Sequence, residues 1–252
     1  MALLPKLPRP KLSRIGGAIR STLMAGVAVA ALAGFVFVRG QVGPSAAEAA
    51  PMAVPVAAYD APAAGTSETA VLSGGCFWGL QGVFEHVKGV KQVLAGYAGG
   101  MAATAQYELV STGTTGHAES IKVVFDPAQV SYGQILRIFF SVATDPTQVG
   151  GQYPDEGSQY RSEIWFTSEA QKTVAARYID QLNAAHAFKQ PIATRVDPLA
   201  GFFPAEGYHQ DYLVHHPDSP YIATYDLPKV AALKRVFPLS YVSAPVLTVA
   251  SR

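Results

Sequence analysis

Cys76 is the single cysteine among 252 residues, and its surroundings mark it as a nucleophile rather than a piece of core. It stands in the stretch Gly74-Gly75-Cys76-Phe77-Trp78-Gly79. Glycines on both sides let the backbone turn tightly and leave the thiol uncrowded. A lone cysteine is ordinarily a small buried hydrophobe. Here the glycine frame, and two large aromatics placed to wall an apolar pocket, reverse that expectation. A thiol nucleophile needs a group nearby that gives or takes a proton, and a pocket for its target. The residues of matching type are Glu119, Tyr107, Asp155 and Tyr160. Glu119 opens a strand behind the Gly-rich run Ser111-Thr112-Gly113-Thr114-Thr115-Gly116-His117-Ala118, and the other three lie in polar loops. Taken singly each is ordinary: a strand-end Glu is usually solvated, and a loop tyrosine usually lids a core.

The elements that must position these groups follow from periodicity. Thr69–Ser73 is a short apolar strand, and Leu80, Val83, Phe84 and Val87 recur at helical spacing. Cys76 therefore falls where a strand turns into a helix. The unpaired N–H groups and dipole of that first turn are expected to stabilise a thiolate. Strands are expected at Val90–Tyr97 and at Glu119–Phe125, the latter with Ile121, Val123 and Phe125 on one face. Ser131 with Gln134 forms a capping box for a helix through Val142; Ser168 with Gln171 forms another, for a helix to about Ala187. Strands at Ser162–Thr167 and Ile192–Val196 complete the pattern, and the aromatic residues beyond 198 show little regular period. The order strand, helix, strand, strand, helix, strand, helix, strand predicts an α/β (α+β) two-layer sandwich. Its centre is a split βαβ, ferredoxin-like core with long loops. This catalytic domain is expected over 67–238, followed by a tail, 239–252.

Six stretches in order together resemble the A-type methionine sulfoxide reductases, the peptide-methionine (S)-S-oxide reductases. They are Gly74–Gly79, Gly96-Tyr97-Ala98-Gly99-Gly100, Gly113–Glu119, Asp145-Pro146-Thr147-Gln148, Gly157-Ser158-Gln159-Tyr160-Arg161-Ser162 and Pro204-Ala205-Glu206-Gly207-Tyr208-His209-Gln210. The resemblance spans about 69–215. It implies that Cys76 attacks the sulfoxide sulfur and that Glu119 protonates the departing oxygen. It further implies that Tyr107 and Tyr160 donate hydrogen bonds to that oxygen, that Phe77 and Trp78 wall the methyl pocket, and that Asp155 supports the site. The implied activity is thiol-dependent reduction of L-methionine (S)-S-oxide, in proteins or free, as repair of oxidative damage. A sulfoxide oxygen leaves poorly unless protonated, so an acid is required, and Cys76 and Glu119 are expected to share one proton as a coupled pair. Family members often carry further C-terminal cysteines that resolve the oxidised nucleophile. The stretch Leu199 to Arg252 has none. An external thiol, thioredoxin-like or small, is therefore the expected reductant, with no prosthetic cofactor. The run Gly150-Gly151-Gln152-Tyr153-Pro154 departs from the family's usual polar run. Rival readings are another one-cysteine redox enzyme, such as a peroxidase, and a methionine-sulfoxide binder without turnover. A metal site at His209, His215 and His216 is disfavoured, since adjacent histidines on a regular element point apart and no acidic partner stands at ligand spacing.

Composition bounds the rest. Residues 1–40 hold six basic side chains and no acid, whereas the remainder holds 13 basic against 18 acidic ones, which argues against a nucleic-acid partner. One cysteine excludes an internal disulfide. The basic flank followed by an uncharged apolar run, 21–38, is an export signal or a membrane anchor, with Ala47-Glu48-Ala49 a small-x-small cleavage candidate. Segment 1–39 thus directs an exported body, periplasmic or held on the membrane facing the periplasm. Ala/Pro-rich 40–66 is expected to be an unpacked linker. A monomer is expected.

Overall fold

The structure, a computed structural model, describes residues 51–63 and 65–248. The expectations for the basic N-terminus and the apolar run 21–38 lie outside the described residues. In chain order the elements are β1 (Glu68–Ser73), α1 (Phe77–Glu85), β2 (Val90–Ala98), α2 (Tyr107–Val110), β3 (Ala118–Phe125) and α3 (Tyr132–Ile138), which runs into a wide π-type turn at Phe139–Ala143. A small hairpin of β4 (Gly151–Gln152) and β5 (Asp155–Glu156) precedes β6 (Glu163–Phe166), α4 (Glu169–Ala184), β7 (Arg195–Pro198) and β8 (Phe202–Pro204). Then come α5 (Tyr212–His215), a second π-type turn at Ile222–Asp226, and α6 (Leu227–Val236).

The main sheet has six strands in the order β7-β6-β1-β3-β2-β8. Its centre, β6-β1-β3-β2, is wholly antiparallel, and β3 lies between β1 and β2, the two strands that α1 connects. That is the expected split βαβ, ferredoxin-like core. β7 adds in parallel to β6, and β8 adds antiparallel to β2. Period 2 sorts the side chains. Ala70, Leu72, Ile121, Val123 and Phe125 join α1, α3 and α4 in the principal core. Val71, Ala98, Ala118 and Trp165 form a smaller cluster on the opposite face. Glu119 shares the parity of Ile121, and so projects to the helix-covered face at the end of its strand.

Both helix caps form. Ser131 Oγ accepts the N–H of Gln134 at 3.2 Å, and Ser168 Oγ accepts that of Gln171 at 3.2 Å. Gln134 reaches away to Ser240 Oγ at 3.1 Å, whereas Gln171 accepts the N–H of Thr167, the residue before the cap, at 3.0 Å and donates to the Thr69 carbonyl at 2.7 Å.

Four stretches differ from the sequence expectation. The last expected strand sits later, at Arg195–Pro198, because its pairing is fixed by the register of β6. Helix α6 was not expected; its signals are Pro228 in the first turn and the spaced pair Val230 and Leu233, both buried. The linker expected over 40–66 is packed from Val54 to Asp60. Val54 is wholly buried, donates its N–H to Ser141 Oγ (3.1 Å) and accepts from Arg137 Nε (2.8 Å). The Pro55 carbonyl accepts from Tyr178 Oη at 2.6 Å, and the Asp60 carboxylate accepts the Gly133 N–H at 3.0 Å. Composition hides this strap because its partners are side chains of α3 and α4, while its own contribution is mostly backbone. Burying Val54 contributes roughly 1.5–3 kcal/mol by area. The tail also returns to the body as far as Thr248. Lys88 N–H donates to the Ser240 carbonyl at 2.7 Å, Val242 N–H to that of His86 at 2.8 Å, and Val246 N–H to that of Glu85 at 2.9 Å.

Candidate active site

Cys76 is the N-cap of α1, and Phe77 and Trp78 are its first residues. A positive φ of 97° at Gly75 makes the turn out of β1 that delivers the cysteine there. A side chain at Gly75 would also press on Gln152, which belongs to the β4–β5 hairpin. Gln152 ties that hairpin to the end of the preceding loop: its Oε1 accepts the Asp145 N–H at 2.9 Å and its Nε2 donates to the Asp145 carbonyl at 2.8 Å. The departing run Gly150–Pro154 is thus a short hairpin that carries Asp155 to the site.

Glu119 reaches α1 directly. Its Oε2 accepts the backbone N–H of Phe77 at 3.0 Å. The expected stabilisation of a thiolate by the helix start is therefore diverted. One first-turn N–H serves Glu119, and the N–H of Trp78 alone acts on the sulfur. Burial is the larger influence on Cys76, which is 7% exposed. Burial and then the Glu119, Asp226 and Asp155 carboxylates push the Cys76 thiol well above its usual range, against the Trp78 N–H. The resting sulfur is a thiol. Burial likewise pushes Glu119 up to about 8; the Phe77 N–H opposes this, and Asp155 and Asp226 add to it. Near neutrality Glu119 keeps its proton, the form a general acid needs, so the pair holds two protons at rest rather than the single shared one expected from the sequence.

The two tyrosines stand in the same field. Burial, then Glu119 and Cys76, raise Tyr107. Burial, then Glu119, Asp155 and Cys76, raise Tyr160. Both remain protonated hydrogen-bond donors, half-buried beside the thiol–acid pair. Asp155 accepts a hydrogen bond from Tyr221 Oη. All seven residues singled out from the sequence therefore converge, from α1, β3, α2, the hairpin and the turn before β6.

Three further residues of the C-terminal stretch build the aromatic wall. Trp78 Nε1 donates to His209 Nδ1 at 3.1 Å, which fixes that nitrogen as an acceptor and the ring as neutral. His209 packs between Phe77 and Tyr107, with ring centroids 5.1 and 4.4 Å away. Tyr212 stacks on Trp78 at 3.9 Å and 12°. Glu206 holds the tyrosines: its carboxylate accepts from Tyr97 Oη at 2.8 Å and from the Tyr107 N–H at 2.9 Å. Glu206 and His209 lie in the last of the six stretches that carry the family resemblance, whereas Tyr212 was signalled only by the clustering of aromatic and polar residues in a stretch without period. No group of His, Cys, Asp or Glu among the described residues is arranged to hold a metal ion. A buried thiol beside a protonated carboxylic acid, walled by aromatics and faced by tyrosine hydroxyls, is equipped to attack a soft centre bearing an apolar group and an oxygen.

Known proteins resemble this chain over most of the described body. The family described as peptide methionine sulfoxide reductase matches residues 68–238. The peptide methionine sulfoxide reductase MsrA 2 of Mesorhizobium japonicum is 52% identical over 192 residues, which is 76% of this chain and 98% of that protein. The MsrA 2 of Synechocystis is 55% identical over 171 residues, 68% of this chain and 80% of that protein. Among solved structures, methionine sulfoxide reductase A of Corynebacterium diphtheriae superposes with a TM-score of 0.52 at 31% identity, covering 65% of this chain and 85% of that one. The chain belongs to the A-type peptide methionine sulfoxide reductases, oxidoreductases that use thiols to return methionine (S)-S-oxide to methionine.

Proposed function

We propose that Cys76 is the nucleophile and Glu119 the acid of this reduction, and that the spent enzyme is recycled entirely by an external thiol. The observation that carries the reading is the Phe77 N–H bond to Glu119, which sets a protonated carboxylic acid at the foot of the helix that Cys76 caps. Cys76 Sγ attacks the sulfoxide sulfur while Glu119 gives its proton to the oxygen, and the thiol proton restores the acid. Oxygen ends on Cys76 as a sulfenic acid and methionine leaves, so the cysteine is oxidised by two electrons and the sulfoxide reduced by two. One thiol then condenses with the sulfenic acid, releasing water and forming a mixed disulfide. A second thiol breaks that disulfide and frees Cys76. Phe77 and Trp78, braced by His209 and Tyr212, receive the S-methyl group. Tyr107 and Tyr160 donate to the oxygen, and Asp155 supports the site. Fixing methyl and oxygen together selects the S epimer.

No second cysteine occurs in these 252 residues, so the sulfenic acid has no partner within the chain. The reductant is a thioredoxin-like protein or a small thiol. The basic flank and apolar run of 1–39 support export, with the enzyme acting in the periplasm or anchored facing it. There the reductant has to be a thiol donor maintained against oxidising surroundings.

The test is a single turnover without reductant. It should yield about one methionine per enzyme, by the one-thiol stoichiometry of sulfenic acid formation, from the S epimer and not the R epimer. Cys76 should then react with a sulfenic-acid trap, and added dithiol should restore turnover. Sustained turnover with no thiol, or equal rates on both epimers, would sink the scheme.

A further inference from the structure

The roles proposed above leave one buried ion pair at the site without a part. Asp226 is wholly buried, and Lys229 Nζ lies 3.4 Å from its Oδ1, itself only 9% exposed along the side chain. The Asp226 carboxylate occupies the space where a side chain at Gly79 would stand; a Cβ there would collide with Oδ1. Gly79 is in the first turn of α1, three residues past Cys76. The second π-type turn, where Tyr221 meets Asp155 and Trp78, ends on Asp226 itself.

We propose that Asp226, held by Lys229, is a positioning residue for the sulfoxide chemistry: it braces the first turn of α1 at Gly79 and sets its carboxylate behind the Cys76–Glu119 pair. A buried carboxylate is costly unless paired, and Lys229 supplies the partner from one turn further along α6. The ionisable groups facing Asp226 include Lys229 from α6, Tyr221 just before the π-type turn, Cys76 at the N-cap of α1 and Glu119 from β3. Asp155 acts on Cys76, Glu119 and Tyr221 from the hairpin side. The charge of Asp226 makes proton loss harder at Cys76 and at Glu119 alike. It therefore favours the resting form in which thiol and acid both hold their protons, the state from which attack and oxygen protonation begin. The absence of a side chain at Gly79 is what lets the carboxylate come this close.

The inference rests on the proposed roles of Cys76 and Glu119, and its test separates the two. The double variant D226N/K229M removes both members of the pair with little change of shape, which avoids leaving an uncompensated buried ammonium. D226N alone is the companion. Two pH profiles are measured on the full chain: alkylation of Cys76 by iodoacetamide, which needs no turnover, and single-turnover reduction of the S epimer. Both midpoints should move to lower pH by about half a unit or more, the scale on which loss of a nearby like charge acts. A merely structural pair would lower the melting temperature and leave both midpoints in place; that result, in a variant that still reduces sulfoxide, overturns the inference and leaves the proposed function standing. A shifted alkylation midpoint beside an unmoved single-turnover midpoint sustains the action of Asp226 on Cys76 and counts against Glu119 as the acid of the proposed function.

Discussion

The two walls of the site are built in opposite ways. One wall, Cys76 and Glu119, stands on the turn from β1 into α1 and on the end of β3, elements tied into the central sheet by long ladders. The other wall, running from Glu206 through His209, Tyr212 and Tyr221 to Asp226, belongs to a stretch of short turns and one late helix. Groups that exchange electrons and protons sit on rigid, regular backbone, where an error in position is costly. Groups that brace Phe77 and Trp78 from behind and add to the site's electrostatics come from an irregular stretch. There, single side chains reach in across long sequence separations. On the proposed roles, the first wall would decide whether the reaction occurs, and the second how well and at what pH.

The largest break in that contrast is Cys76→Ser. It should abolish reduction while leaving the fold intact, because serine is nearly isosteric and a far weaker nucleophile. Residual turnover above a few per cent of wild type, the scale on which loss of a nucleophile is judged, would point to another group. Next is Glu119→Gln, which keeps the bond to the Phe77 N–H but has no acidic proton; a fall of about 10²–10⁴ in the single-turnover rate is expected. In the wild type the same step should be level through pH 6–7 and decline as pH rises through about 8, where Glu119 loses its proton. A rate that climbed with pH through that range would mean that the thiolate, not the acid, limits the step. The smallest effect should come from the second wall. Glu206→Gln weakens the hold on Tyr97 and Tyr107 without touching the reacting atoms. It should cost roughly tenfold in kcat/KM, the scale of one weakened charge-assisted hydrogen bond. A loss as large as that of Glu119→Gln would erase the distinction between the walls.

Much of the first wall was legible in the sequence. Glycines around Cys76 and alternation along Glu119–Phe125 are local signals, and the helix at Leu80–Val87 has its own period. The central strand order follows from them. The second wall was legible at Glu206 and His209 through the stretch Pro204–Gln210, and beyond it only as a collection of aromatics, because each of them packs for its own reason and leaves no repeat. The strap from Val54 to Asp60 was hidden for a related cause: an Ala/Pro-rich segment carries no apolar period, yet its carbonyls meet Arg137, Tyr178 and Gln181. The protonation of Cys76 ran against the local expectation. The helix start argued for a thiolate, but burial and the carboxylates brought by Glu119 and then Asp226 prevail. A window around the cysteine does not contain either influence.

The sheltered sulfur has a consequence for an enzyme that works where oxidants damage methionine. Peroxide consumes thiolates far faster than thiols. A nucleophile that is 7% exposed and holds its proton at rest is therefore a poor scavenger. It does not spend itself on the agent whose damage it reverses. On the proposed scheme, the same enclosure would stand between the sulfenic acid and the second oxidant molecule that would carry it irreversibly to the sulfinic acid. The walls that select the substrate also preserve the catalyst.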